Sequence, residues 1–218
     1  MAKVVKAVIL DFDGVVLETI SVKRDAFREL FRDYPQHVDR IVDYHMEQGG
    51  LSRFKKFEHI YANILHEPLS AEFSARLGER FAELLGESVI RAPYVKGARE
   101  FIEQYHCAYD LFIATGTPQE EIDWVIGKLD LAKYFRGVFG SPSSKSQIVA
   151  RILHDHGLHA EDAIFVGDAI NDLVGARDNH IAFAGRVHRS FINPFVGKTV
   201  DWLIDDLTQL AGLIRPPD

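Results

Sequence analysis

Apolar residues along this chain follow two rhythms. Short, nearly unbroken runs occur at VVKAVIL (4–10), DLFIAT (110–115), AIFVGD (163–168), HIAFAG (180–185) and, more weakly, DWLID (201–205), each bounded by charge or glycine. Their length and composition predict five strands covered on both faces. Between them, apolar residues recur at helical spacing in GAREFIEQYH from Gly97, EEIDWVIGKL from Glu120, SQIVARILHDH from Ser146 and DLVGARDN from Asp172. Strands alternating with helices predict right-handed crossovers and an α/β fold built on a doubly wound parallel sheet. Ligands of such sheets bind outside the carboxyl ends of the strands, near a switch point.

Residues 18 to 92 break the alternation. KRDAFRELFRDY, SRFKKFEHIYANIL and SARLGERFAELLGESVI have helical spacing and no strand-like run separates them. The stretch reads as an all-helical insert, with a turn at Gly49 and Gly50 and a return to the sheet domain through APYVKG (92–97). The expected division is a catalytic core from residues 1–17 and 93–218, with a helical domain from 18–92.

Composition narrows the function classes. Of 218 residues, 47% are hydrophobic and 26% charged, enough apolar material for a sizeable core. A formal net charge of -7 repels phosphate backbones and anionic membranes, which argues against nucleic acid or a membrane surface as partner. Cys107 is the single cysteine, so no internal disulfide is expected. No apolar run approaches the roughly 20 residues that span a bilayer, and the first run ends at Asp11 without a small-residue cleavage site. A cytoplasmic location is expected.

Three of the strand-like runs end in polar residues suited to chemistry: Asp11 and Asp13, Thr115, and Asp168. Positions i and i+2 of a strand share a face, so Asp11 and Asp13 point the same way if the strand continues through them. A pair of turn acids is one reading; a divalent cation that removes their mutual repulsion is the other. GDAIND (167–172) adds Asp168 at a strand end and Asp172 on the first turn of the following helix, where the macrodipole also favours an acid. Clustered carboxylates without a cation raise one another's pKa values, so a metal is expected. Thr115 precedes Gly116, where the backbone can approach an anion closely, although a helix N-cap at Thr117 explains the same stretch. Lys145 sits at a helix start, the end where a cation is disfavoured, either as a solvated surface lysine or for a functional reason.

The order DFDGV, ATGT, SSK, GDAIND along an alternating β/α chain resembles the haloacid dehalogenase superfamily of phosphohydrolases, over almost the whole chain. The resemblance implies a Rossmann-like core with a helical cap between the first and second motifs, as in the subgroup of phosphoglycolate phosphatases and β-phosphoglucomutases. It makes Asp11 the nucleophile that forms an aspartyl-phosphate, and Asp13 the group that protonates the leaving alcohol and then activates water. Mg²⁺ would be held by Asp11, the main-chain carbonyl of Asp13 and Asp168, with Asp172 in support. Thr115, the Gly116 amide and Lys145 would bind phosphoryl oxygens. The dehalogenases lack the second acid because halide departs without a proton, so Asp13 favours a phosphate ester.

Within the insert, GGLSRFKKFEHIY (49–61) carries Arg53, Lys55 and Lys56 in an otherwise acidic protein. Gly50, Ser52 and Arg53 are similar to the Gly-x-Ser-Arg segment of sugar-phosphate mutases and related phosphatases. That likeness gives Arg53 an anionic group of the substrate; a solvated basic face is the alternative. The mutases carry a histidine where this chain has Lys23, and a lysine where it has Gly49. Both departures favour hydrolysis over a mutase. In HDHGLH (154–159), His154 and His156 do not face each other on a helix, so complementing the helix dipole is expected rather than zinc. The resulting expectation is a Mg²⁺-dependent phosphatase of a small phosphorylated metabolite, as monomer or homodimer, with a sugar-phosphate mutase as the alternative. A signalling receiver fits less well, because its phosphorylated aspartate lies on the third strand and it carries no large insert. A pocket kept without turnover is unattractive because such a carboxylate set is costly to maintain.

Overall fold

The structure, a computed structural model, describes residues 2–217. The run predicted over 4–10 splits at Val5 and Lys6 into β1 (Lys3–Val4) and β2 (Ala7–Leu10). The first piece pairs with Ile214–Arg215, outside the main sheet. Strand β2 lies in the middle of a six-stranded parallel sheet with β3 (Asp110–Pro118), β4 (Gly137–Ser141), β5 (Ala163–Gly167), β6 (Ala182–Arg186) and β7 (Trp202–Ile204). The spatial order is β4-β3-β2-β5-β6-β7. This is the doubly wound Rossmann order, and its direction reverses between β2 and β5.

Alternation along the strands divides the core into two faces. Val8, Leu10, Leu111, Ile113, Ile164 and Val166 face one cluster, while Ala7, Ile9, Phe112, Ala114 and Phe165 face the other. Helices α5 (Ala98–Tyr105) and α6 (Gln119–Lys128) cover the first face; α7 (Lys145–Asp155) and α8 (Ile170–Asp178) cover the second. Burial on both faces explains why these strands read as continuous apolar runs.

Between β2 and α5 the chain forms α1 (Ile20–Leu30), α2 (Val38–Glu47), α3 (Arg53–Ile60) with a π-helical turn after it, and α4 (Ala71–Leu85). Phe27, Phe31, Phe57 and Phe81 from this segment join the same hydrophobic cluster as the first sheet face. No helix among the described residues is long and apolar enough to cross a membrane.

Strand β4 and helix α2 were not foreseen, so the predicted five strands become six in the main sheet. In β4, Gly137 and Gly140 dilute the apolar signal and the first three residues are half-exposed at a sheet edge. Thr117 is not a helix cap: β3 runs on through Pro118, and α6 starts at Gln119 without a side-chain cap.

Candidate active site

The site grows out of two adjacent strand ends. The backbone N–H of Asp11 still donates to Val166 of β5, at 2.9 Å, so the first acid leaves β2 beside the end of its neighbour. Asp168 follows β5 directly, and Asp172 stands on the first turn of α8. Carboxylate oxygens of Asp11, Asp168 and Asp172 all lie within 4.8 Å of one another. Gly14, with φ +74°, makes this approach possible: a Cβ there would fall 2.1 Å from Asp168 Oδ2. Arg186 at the end of β6 steadies the same loop, donating to the Gly14 carbonyl at 3.0 Å and pairing with Glu18 at 2.5 Å.

Lys145 enters this cluster from the first position of α7. Its ammonium lies 2.8 Å from Asp11 Oδ1 and 2.7 Å from Asp172 Oδ1, and donates to the Ala114 carbonyl at 2.6 Å. At 5% exposure it is no surface lysine. A capping box between Ser144 and Gln147 fixes where its helix begins. Burial lowers the Lys145 pKa, but Asp11 and Asp172 outweigh burial and raise it above the usual lysine range. Asp172 also accepts from the Ala169 N–H at 3.0 Å.

Asp11 and Asp168 pay for the crowding. Burial, then Asp172, push the Asp11 carboxyl up to about 7 against the opposing pull of Lys145. Burial, then Asp11 and Asp172, raise Asp168 well above the carboxylate range. Asp168 has no hydrogen bond or ion pair to another described residue. An unpartnered carboxylate amid further acids fits a divalent cation with oxygen ligands. The Phe12 N–H, at 2.6 Å, and Lys145 both hold Asp11 Oδ1, which leaves Oδ2 free.

Asp13 turns to a separate set of donors. Thr19 donates to its Oδ1 at 2.6 Å; Lys23, at 2.5 Å, and Thr117, at 3.0 Å, donate to Oδ2. Burial alone would raise its carboxyl, but Lys23 and the two threonines hold it below the ordinary value. Thr115 does not end its strand, since β3 runs on to Pro118; it is buried within β3, next to β2, and its hydroxyl accepts from the Thr117 N–H at 3.2 Å. Gly116 lines the cavity, and a Cβ there would meet the Gly50 carbonyl at 2.4 Å. Asn171 likewise donates to the Gly49 carbonyl at 3.1 Å, so the turn at Gly49 and Gly50 closes directly over the strand ends.

The cavity, about 160 Å³ and partly open to solvent, carries Asp11, Asp13 and Asp168 on the sheet side and Lys23, His45, Glu47, Arg53 and Lys56 on the helical side. Arg53 does line it, but its guanidinium is committed to Glu121 of α6 in two bonds of 2.7 and 2.8 Å, over the Phe81 ring. Lys55 lies outside on the surface, paired with Glu58. His154 pairs with Asp155 and His156 packs against Phe112. Among the described residues the histidines form no metal-competent cluster.

Lys23, Thr19, His45 and Glu121 were not identified as site residues from sequence. For Lys56 a signal exists: Arg53, Lys56, Phe57 and Ile60 are the buried positions of α3, an i, i+3, i+4, i+7 stripe in which two apolar places are taken by cations.

The haloacid dehalogenase-like hydrolase family model matches residues 5–180. A phosphoglycolate phosphatase of Vibrio parahaemolyticus is 24% identical, covering 96% of both chains. A phosphatase of phosphorylated carbohydrates from Thermotoga maritima is 28% identical over 60% of this chain and 58% of its own. Among solved structures, CbbY from Rhodobacter sphaeroides, in complex with phosphate, superposes with a TM-score of 0.73 at 17% identity, covering 96% of this chain and 99% of that one. The strand order, the acids at its switch point and a family match across most of the sequence agree, and the chain belongs to the haloacid dehalogenase-like hydrolases.

Proposed function

We propose that the protein is a Mg²⁺-dependent phosphatase that hydrolyses a small phosphate monoester through an aspartyl-phosphate on Asp11. The convergence of Asp11, Asp168 and Lys145 at one switch point carries this reading. The phosphatase names of the relatives support the substrate class. We infer that residues 18–92 act as a cap over a core formed by 1–17 and 93–218.

Asp11 Oδ2, the free oxygen, attacks phosphorus while the ester P–O bond on the opposite side breaks. Asp13 gives the departing alkoxide a proton. Lys23 and the two threonines keep Asp13 ionised in the resting site. It therefore takes up a proton from solvent before the ester bond breaks, and the Thr19 hydroxyl can turn from donating to accepting to hold it there. Asp13 then takes a proton from water, which attacks phosphorus and frees Asp11 as phosphate leaves. Asp11, Asp168 and the Asp13 main-chain carbonyl would hold Mg²⁺, with Asp172 anchored behind them by Lys145 and the Ala169 amide. The cation supplies neutralisation of charge on the equatorial phosphoryl oxygens. Lys145, its three donors held by Asp11, Asp172 and the Ala114 carbonyl, adds positive charge behind Asp11, and the Thr115–Gly116 segment would supply hydrogen bonds to the phosphoryl oxygens.

Screening phosphorylated sugars, phosphoglycolate and nucleotides for Mg²⁺-dependent phosphate release tests the reading. Asp11→Asn is expected to lose at least about 10³-fold in kcat. Turnover of no ester, or an Asp11→Asn variant as active as the parent, defeats it. An isomeric phosphate ester in place of inorganic phosphate would make the enzyme a mutase instead.

A further inference from the structure

Four lysines and arginines line the cavity: Lys23, Arg53, Lys56 and Arg186. Three have acids. Lys23 pairs with Asp13, Arg53 with Glu121 and Arg186 with Glu18. Lys56 is only 4% exposed, yet among the described residues it forms no ion pair. Two of its three donors go to His45, at 3.1 Å to Nδ1 and 3.1 Å to the main-chain carbonyl, which leaves one for the cavity. The imidazole that accepts from Lys56 keeps its own proton on Nε2, so it too has a donor to offer. The ring is braced against Phe27 at 3.9 Å.

A lone ammonium away from water is unfavourable unless an opposite charge reaches it. Burial, then Lys23, lower the Lys56 amine to about 7, and burial, then Lys56, push His45 well below the usual imidazole range. The sheet side of the cavity already provides for a phosphoryl group, and Lys56 lines the same cavity from the helical side, where the leaving group of a bound ester would lie. We propose that Lys56 and His45 form a second anion subsite, selecting phosphate esters whose leaving group itself carries a carboxylate or a second phosphate. This rests on the phosphatase reading above.

Kinetics with matched pairs tests it: 2-phosphoglycolate against ethyl phosphate for a carboxylate, and 1,3-propanediol bisphosphate against propyl phosphate for a second phosphate. The parent should favour at least one diacid by 30-fold or more in kcat/KM, and Lys56→Met should bring that ratio within about threefold of unity. The favoured pair tells which anion is read. Equal use of both members by the parent, or an unchanged ratio in Lys56→Met, overturns the subsite. Binding decides the matter separately if no ester is turned over. 3-Phosphonopropionate should bind the parent at least tenfold more tightly than propylphosphonate by calorimetry, and Lys56→Met should lose that margin. Failure of turnover with this margin intact sinks the phosphatase reading alone, whereas absence of a margin both here and for 1,3-propanebisphosphonate against propylphosphonate sinks the subsite. A purely structural lysine would lower Tm when replaced by Met; Tm is expected to hold or rise.

Discussion

Lys145 shows how a residue placed against local rules is repaid by its surroundings. At the first position of α7 its charge opposes the helix dipole by a few tenths of a kcal/mol. The two carboxylates and the carbonyl around it outweigh that. Removing one partner of a buried ion pair costs about 3–5 kcal/mol, so Lys145→Met is expected to lose about that much in urea unfolding; a loss under about 1 kcal/mol would mean the three acids do not depend on it. Lys56 is the opposite case. Its amine stands near 7 in the folded protein against 10.5 ordinarily, chiefly through burial. Below pH 7 the folded and unfolded chains both hold this proton. Between about 7 and 10.5 only the unfolded chain does, so its contribution to stability rises with pH across that window. Relative to Lys56→Met, the parent should therefore gain several degrees of Tm from pH 7 to 10, and a flat difference would contradict the shifted amine.

At the scale of elements, the strand ends were legible and their cross-contacts were not. DFDGV and VGDAIND announce their acids because a buried strand that stops in aspartate breaks an apolar run in plain view. Helix α2 was not foreseen, and β4 was hidden because glycines thin it at an edge. Arg53 was legible as a cation of the insert, but its tie to Glu121 spans two elements with no local signature. The same holds for Lys23 and Thr117 meeting on Asp13. The Arg53–Glu121 pair joins α3 to α6, with Arg53 buried and both oxygens engaged. A double-mutant cycle with Arg53→Met and Glu121→Gln should return a coupling of about 1–3 kcal/mol, little changed by 1 M salt because the arginine is out of solvent. Coupling near zero would mean that α3 and α6 are not held together here.

Across the whole molecule, an acid-rich sheet edge faces a base-rich helical layer, and the sheet edge retains the unpartnered carboxylate of Asp168. A ligand that binds only the folded state stabilises by mass action, about 2.7 kcal/mol at 100 times its Kd. For a chain of this size saturating Mg²⁺ should raise Tm by roughly 5–10 °C. Asp168→Asn should abolish most of that rise, and an equal rise in the variant would place the ion elsewhere.

Strand β2 lies between β3 and β5, yet it leaves the ribosome long before the second of these neighbours. A nascent chain halted short of residue 163 carries β2 and β3, but of the acids that converge at the site it holds only Asp11 and its neighbour Asp13. The crowding that Asp168 and Asp172 add to the reaction centre is thus deferred until most of the scaffold is already there to bear it.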